Sequence, residues 1–456
     1  MAEHSAEAPT LFVPELALVV LLGASGCGKS TFARRHFAAT EVASSDALRG
    51  WVADDENDQS ATHDAFELLH LLVAKRLARG LLTVVDATNA TAEGRRPLLD
   101  LARRFHVPAV AVALDLPEEE CLRRNAARAE RRVPDDVIQR QAHLLRASLA
   151  GLSREGFRRV HLLRSAAELD AARVVRERLP CNRRDDPGPF DVIGDVHGCA
   201  AELDELLALL GYGPGADGVW RHPSRKAVFL GDLVDRGPGV VPVLRRVMGM
   251  VEAGAALCVP GNHDAKLVRA LQGRNVQVKH GLGESLDALA AEPPAFRAAV
   301  AHFLDALPTH SVLDGGRLVV AHAGMKAVYQ GRDSGAVRSF ALFGETTGEM
   351  DELGFPVRSD WAASYRGAAE VVYGHTPVLA PEWVNRTINI DTGCVFGGTL
   401  TALRYPEHEL ASVPARRAYA VPRRPFLALT PVSLHSTAPS PDNRRGLRPH
   451  VIERGG

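Results

Sequence analysis

Between residues 190 and 264 the chain repeats one pattern three times: a short aliphatic run, a glycine, then carboxylate or imidazole side chains. The pieces read FDVIGDVHG, AVFLGDLVDRGP and LCVPGNHD. Aliphatic runs of this length, closed by glycine, are the pattern of buried strands that deliver side chains to one sheet edge. Asp195, His197, Asp232, Asn262 and His263 then converge on one point. Residues 319–321 lead in the same way into His322, and residues 371–374 into His375. Asp195, His197, Asp232, Asn262, His322 and His375 form a mixed oxygen and nitrogen donor set without a thiolate. That set suits two divalent ions such as Mn2+ and disfavours a structural zinc. Isolated turn caps would not recur five times in this order.

A pair of ions clamps a phosphate and activates a water for in-line attack. Asp232 is the natural bridging ligand, since one carboxylate offers an oxygen to each ion. Arg236, four residues on, can fork onto the non-bridging phosphate oxygens.

The N-terminal half carries a second constraint. A buried aliphatic run, residues 16–22, enters GASGCGKS, a strand–loop–helix phosphate loop. Gly23, Ser25, Gly26 and Gly28 let the backbone wrap the phosphates of ATP, and the helix beginning near Thr31 adds N–H donors. Lys29 reaches the outer phosphates and Ser30 binds Mg2+. The next strand ends at Asp46, seventeen residues after Lys29, where a carboxylate can accept the proton of an attacking hydroxyl. Arg49, one turn on, is expected to hold the acceptor's phosphate, and Asp86 in VVDATN to join the Mg2+ shell. Arginines crowd residues 123–132, and Arg124 and Arg128 are expected to share a helix face and act as a lid over ATP. Alternating strands and helices predict a parallel sheet in a three-layer αβα arrangement.

Length and punctuation divide the chain into a flexible leader at 1–14, a phosphate-loop domain at 15–181 closed by a helix at 166–179, and a linker at 182–189. A second domain follows at 190–423, then a disordered tail at 424–456. A formal net charge of −1 gives no global attraction to nucleic acid. Six cysteines without a CxxC pair read as reduced, cytoplasmic thiols, and no apolar run is long enough to span a bilayer.

The GDxHG, GDxxDRG, GNHD order with two later histidines resembles the calcineurin-like metallophosphoesterases. The resemblance implies a β-sandwich flanked by helices, with Asp195, His197 and His375 on one ion and Asn262 and His322 on the other. It further implies that His263 stabilises or protonates the leaving group, and that Asp391 orients a ligand from behind. Taken with GASGCGKSTFARRHF, SSDALRG, DDENDQ, VVDATN and LRRNAARAERR, the chain resembles the bacterial polynucleotide kinase-phosphatases of RNA repair. That likeness implies phosphorylation of an RNA 5'-hydroxyl through Asp46 and removal of 2',3'-cyclic and terminal phosphates. RNA or DNA ends, a separate ligase, an RNA methyltransferase and a homodimer are the partners it implies. No lysine stands in a KxDG ligase motif, so sealing is expected to fall to another protein. Two other readings stay open. One is a kinase and phosphatase acting on a small molecule, a dinucleoside polyphosphate or a phosphoprotein; the other is a non-catalytic RNA scaffold.

Overall fold

The computed structural model describes residues 8–128, 133–350, 352 and 356–422, which form two α/β halves. In the first, five parallel strands lie in the order Val42–Ser44, Thr83–Asp86, Leu18–Gly23, Ala109–Leu114, Arg159–Leu163. Every residue of the central strand Leu18–Gly23 is buried, as its unbroken aliphatic run requires of a strand covered on both faces. Leu69, Leu77 and Leu98 from the helices Thr62–Ala78 and Ala92–Arg104 build the core on one face. Phe32 and Ile138, from Lys29–His36 and Asp135–Leu149, build it on the other.

The second half is a sandwich. A five-stranded sheet with Phe190–Ile193 at its centre packs on a six-stranded sheet containing Leu318–Val320 and Glu370–Tyr373. Phe190, Val192 and Val228 from the first meet Leu318, Val320, Val372 and Ile388 from the second between the layers. Helices cover both outer faces, among them Val240–Glu252 on the first sheet and Gly335–Phe343 on the second. The α/β class and both architectures agree with the sequence expectation.

Four boundaries differ. Thr10–Pro14, expected in a flexible leader, is a strand paired in parallel with Arg173–Glu177. The closing helix expected to run to residue 179 stops at Ala171, and the chain turns into that partner strand. Asn182–Arg183, expected as linker, adds to the six-stranded sheet beside Ser311–Leu313. The helix Glu118–Ala126 ends before Arg128, because the Asn125 side chain exchanges hydrogen bonds with the backbone of Val133 (2.8 and 3.1 Å) and draws the chain away. Residues 129–132, with the outer arginines Arg131 and Arg132 of that segment, and the tail at 424–456 lie outside the described residues. All six cysteines are buried free thiols. No described helix is long and apolar enough to cross a membrane.

The halves dock through residues that precede strands of the parallel sheet. Arg332 donates to the carbonyls of Phe105 (2.6 Å) and Ala78 (2.9 Å). Asp333 pairs with Arg158, and its N–H donates to the His106 carbonyl at 3.2 Å. This joint sits at the N-terminal edge of the sheet; the phosphate loop leaves the opposite edge.

Candidate active site

The C-terminal ends of the sandwich strands do gather the expected side chains. Two imidazoles are aimed by backbone carbonyls: His197 Nδ1–H donates to Val234 (2.9 Å) and His322 Nδ1–H to Leu230 (3.0 Å). Their Nε2 atoms are thereby turned inward, the usual tautomer of a metal-ligating histidine. Asp232 lies between them, its Oδ2 3.4 Å from His197 Nε2 and its Oδ1 3.5 Å from His322 Nε2. His322 Nε2 is also 3.0 Å from both Asn262 Oδ1 and His375 Nδ1. Asp195 accepts from the His375 N–H at 3.1 Å.

Burial governs the protonation of this cluster. It lowers the pKa of His197, His322 and His375, keeping the imidazoles neutral and able to donate a lone pair. Burial, with Asp391 and Asp232 nearby, raises Asp195, and burial raises Asp391 to about 7.

Two donor groups share Asp232: His197, Asp232 and His263 form one, and Asp232, His322 and His375 the other. His375 lies against His322, and its N–H also donates to Asp195, on whose ion the family resemblance sets it. Asp195 Oδ1 and His375 Nε2 are buried without a hydrogen-bond partner, an arrangement that fits divalent-cation ligands. Gly374 is required here, since a Cβ would lie 2.2 Å from Asp195 Oδ1.

Two functional groups escaped the sequence reading. Asp235 is fully buried and accepts from His263 Nδ1–H at 2.6 Å; the Ser285 hydroxyl (2.6 Å) fixes its other oxygen. The signal lay in the DRG that supplies Arg236: a catalytic histidine needs a group to orient it. Arg236 itself reaches His197 Nε2 (2.6 Å) and His263 Nε2 (2.9 Å) and stacks on Phe396 at 5.1 Å. The second group is Arg358, held by the Phe343 carbonyl at 2.6 Å, whose charge further lowers His322 and His375. It belongs to no motif. Asp391, expected behind the ligands, accepts from the Gly393 N–H at 3.0 Å.

The phosphate loop is the second centre. Gly26 (φ 87°) and Gly28 (φ 102°) take left-handed conformations, and a Cβ on Gly26 would meet the Cys121 carbonyl at 2.3 Å. Lys29 Nζ donates to the carbonyls of Gly23 (2.8 Å) and Ala24 (3.0 Å). Ser25 N–H is held by Gln141 Oε1 at 2.8 Å, a contact no motif announced. Ser30 bonds Asp86, whose pKa is raised by burial against the pull of Ser30 and Lys29. Thr31 is exposed on the first helical turn. Asp46 opens the helix Ser45–Ala53, and Arg49, expected to hold the acceptor's phosphate, is buried and binds Asp46 (3.1 Å) and the Glu56 carbonyl (2.6 Å). Arg124 lies over the loop, its Nη1 3.2 Å from where a Gly28 Cβ would stand, and pairs with Glu120. Arg128 is exposed beyond the helix end.

Comparison with known proteins divides the chain at the same place. Residues 18–152 match the AAA domain family, and residues 188–398 match the calcineurin-like phosphoesterase family. A bis(5'-nucleosyl)-tetraphosphatase PrpE [asymmetrical] from Geobacillus sp. (strain WCH70) is 48% identical over 235 residues, which is 50% of this chain and 96% of that protein. Its namesake in Anoxybacillus flavithermus is 47% identical, covering 52% of this chain and 99% of its own length. That of Bacillus subtilis (strain 168) is 47% identical over 50% and 96%. Through residues 188–398 the chain belongs to the calcineurin-like phosphoesterase family.

Proposed function

We propose that the chain handles phosphoryl groups at two centres: a metal-dependent nucleotide phosphoesterase in the second half and an ATP-dependent phosphotransferase in the first. The buried donor set sharing Asp232, with the Arg236–His263–Asp235 relay beside it, carries the hydrolase reading. Asp195, His197, Asp232, Asn262, His322 and His375 would hold the ions, which when bound supply charge neutralisation and a nucleophilic water. Arg236 is placed to fork onto the phosphate oxygens. Asp235 holds His263 with Nε2 presented to the substrate; once Nε2 has taken up a proton from solvent, the imidazolium can pass it to the departing oxygen. The relatives' printed activity supports a bis(5'-nucleosyl) tetraphosphate as substrate, split with water into a nucleoside triphosphate and a monophosphate.

The phosphate-loop domain favours a second reading, healing of RNA ends. Asp46, whose charge acts on Asp86 where Asp86 meets Ser30 and Lys29, is placed to serve as a base for an acceptor hydroxyl. One experiment separates the two. The protein is given ATP, Mg2+ and Mn2+ with either the tetraphosphate or an RNA carrying a 5'-hydroxyl and a 2',3'-cyclic phosphate, and products are weighed by mass spectrometry. Asymmetric cleavage with unchanged RNA favours the first reading; gain of a 5'-phosphate with loss of the 3'-phosphate favours the second. Asp195→Asn should stop hydrolysis alone and Asp46→Asn phosphorylation alone. Loss of both activities in either folded variant would refute two separate centres.

A further inference from the structure

A cleft of about 740 Å3 opens directly off the metal-type centre, with Asn262 in its wall. One side is the helix Asn262–Leu271, on which Asn262, Lys266 and Arg269 recur at i, i+4 and i+7 and so share a face. Arg274 stands just past that helix, and the helix Gly335–Phe343 faces it with Arg338 and the half-exposed ring of Phe343 (49%). Arginines elsewhere on the surface are commonly neutralised, as Arg221 is by Asp217 and Arg245 by Glu292. Among the described residues no carboxylate pairs with Arg269, Arg274 or Arg338; Asp305, in the same wall, accepts from Gln272 at 3.4 Å. At 1.5 Å per residue, Lys266 and Arg269 lie about 6 and 10 Å along the helix from Asn262. Unneutralised cations in a concave wall concentrate anions, and these begin at Asn262, one of the residues that would hold the ions.

We propose that this cleft binds a second phosphate of the substrate, next to the one held at the metal-type centre. The centre thereby selects polyphosphorylated nucleotides or strands over simple phosphomonoesters. Phe343 offers an aromatic face to the attached base. The inference rests on the phosphoesterase reading above.

The test compares the intact chain with an Arg269→Ala/Arg338→Ala double variant in Mn2+. The substrates are a bis(5'-nucleosyl) tetraphosphate, a 3'-phosphorylated oligonucleotide and p-nitrophenyl phosphate, which has no second phosphate. Relative to p-nitrophenyl phosphate, kcat/KM for at least one of the others should fall about tenfold or more, chiefly through KM, with a flatter salt dependence. Restoring charge with Arg269→Lys/Arg338→Lys should recover most of it. A fall for the tetraphosphate alone assigns the cleft to a polyphosphate chain; a fall for the oligonucleotide alone assigns it to a strand. An unchanged ratio for both overturns the proposal. If the double variant misfolds, each single alanine variant gives the same comparison. No metal-dependent hydrolysis of any substrate by the intact chain would sink the phosphoesterase reading instead.

Discussion

Five non-glycine residues of the phosphoesterase centre hold positive φ: His197 (44°), Asp232 (45°), Asp235 (71°), Arg236 (70°) and His375 (75°). Each such conformation costs on the order of 1–3 kcal/mol and persists only where its surroundings over-determine it. Here the strand ends and the carbonyls that aim the imidazoles do so. Asp235 shows what that rigidity serves. Asp235→Asn should cut hydrolysis roughly 100- to 10,000-fold while leaving phosphorylation intact, since the His263 ring loses its orienting acceptor; initial rates of both reactions check this. Donor residues such as Asp195 and His322 were legible because a metal set recurs at strand ends. Arg358 was not, because only the folded chain brings a lone arginine, at the end of the strand Pro356–Arg358, near enough for its charge to act on two histidines. His310 makes a different kind of prediction. Its Nε2 accepts from the Gly331 N–H at 2.9 Å, and burial, with Arg184 adding to it against Asp333, lowers its pKa to about 4. The fold therefore keeps it neutral while the unfolded chain takes up a proton below about 6.5. Stability from this group is complete above pH ~6.5 and is lost as pH falls toward about 4, by about 3 kcal/mol at the limit. His310→Gln should shift the acid-unfolding midpoint to lower pH, measured by circular dichroism.

At the level of elements, legibility followed burial on both faces. The unbroken aliphatic strands Leu18–Gly23 and Ala109–Leu114 announce themselves, and so do the strands that carry the ligands. The pair Thr10–Pro14 and Arg173–Glu177 does not. Its members are polar in part, and the partner that makes each a strand lies some 160 residues away. Leu11 and Val13 are nonetheless buried in the core beneath the phosphate loop. Leu11→Ala should therefore cost about 2–5 kcal/mol, read as a lower denaturant midpoint; a surface-like loss below 0.5 kcal/mol would return the segment to the role of a leader. The helix Glu118–Ala126 gave the opposite error. Its Arg- and Ala-rich continuation has good helix propensity, yet the Asn125–Val133 hydrogen bonds override it and separate Arg124 from Arg128.

Nothing in the sequence announced how the halves meet. The contact is made by Arg332 on two helix-end carbonyls and by Asp333 on Arg158, groups that belong to loops in both halves. Arg332→Ala should release one half from the other: calorimetry should resolve two unfolding transitions further apart than in the intact chain, and scattering should show a larger radius of gyration. The joint also sits on the sheet edge opposite the phosphate loop, and the strand between them, six residues long, sets about 20 Å between the joint and that loop. The phosphate loop therefore opens away from the joint. If both centres act as proposed, a molecule released at the phosphate loop passes through solvent before it meets the second centre.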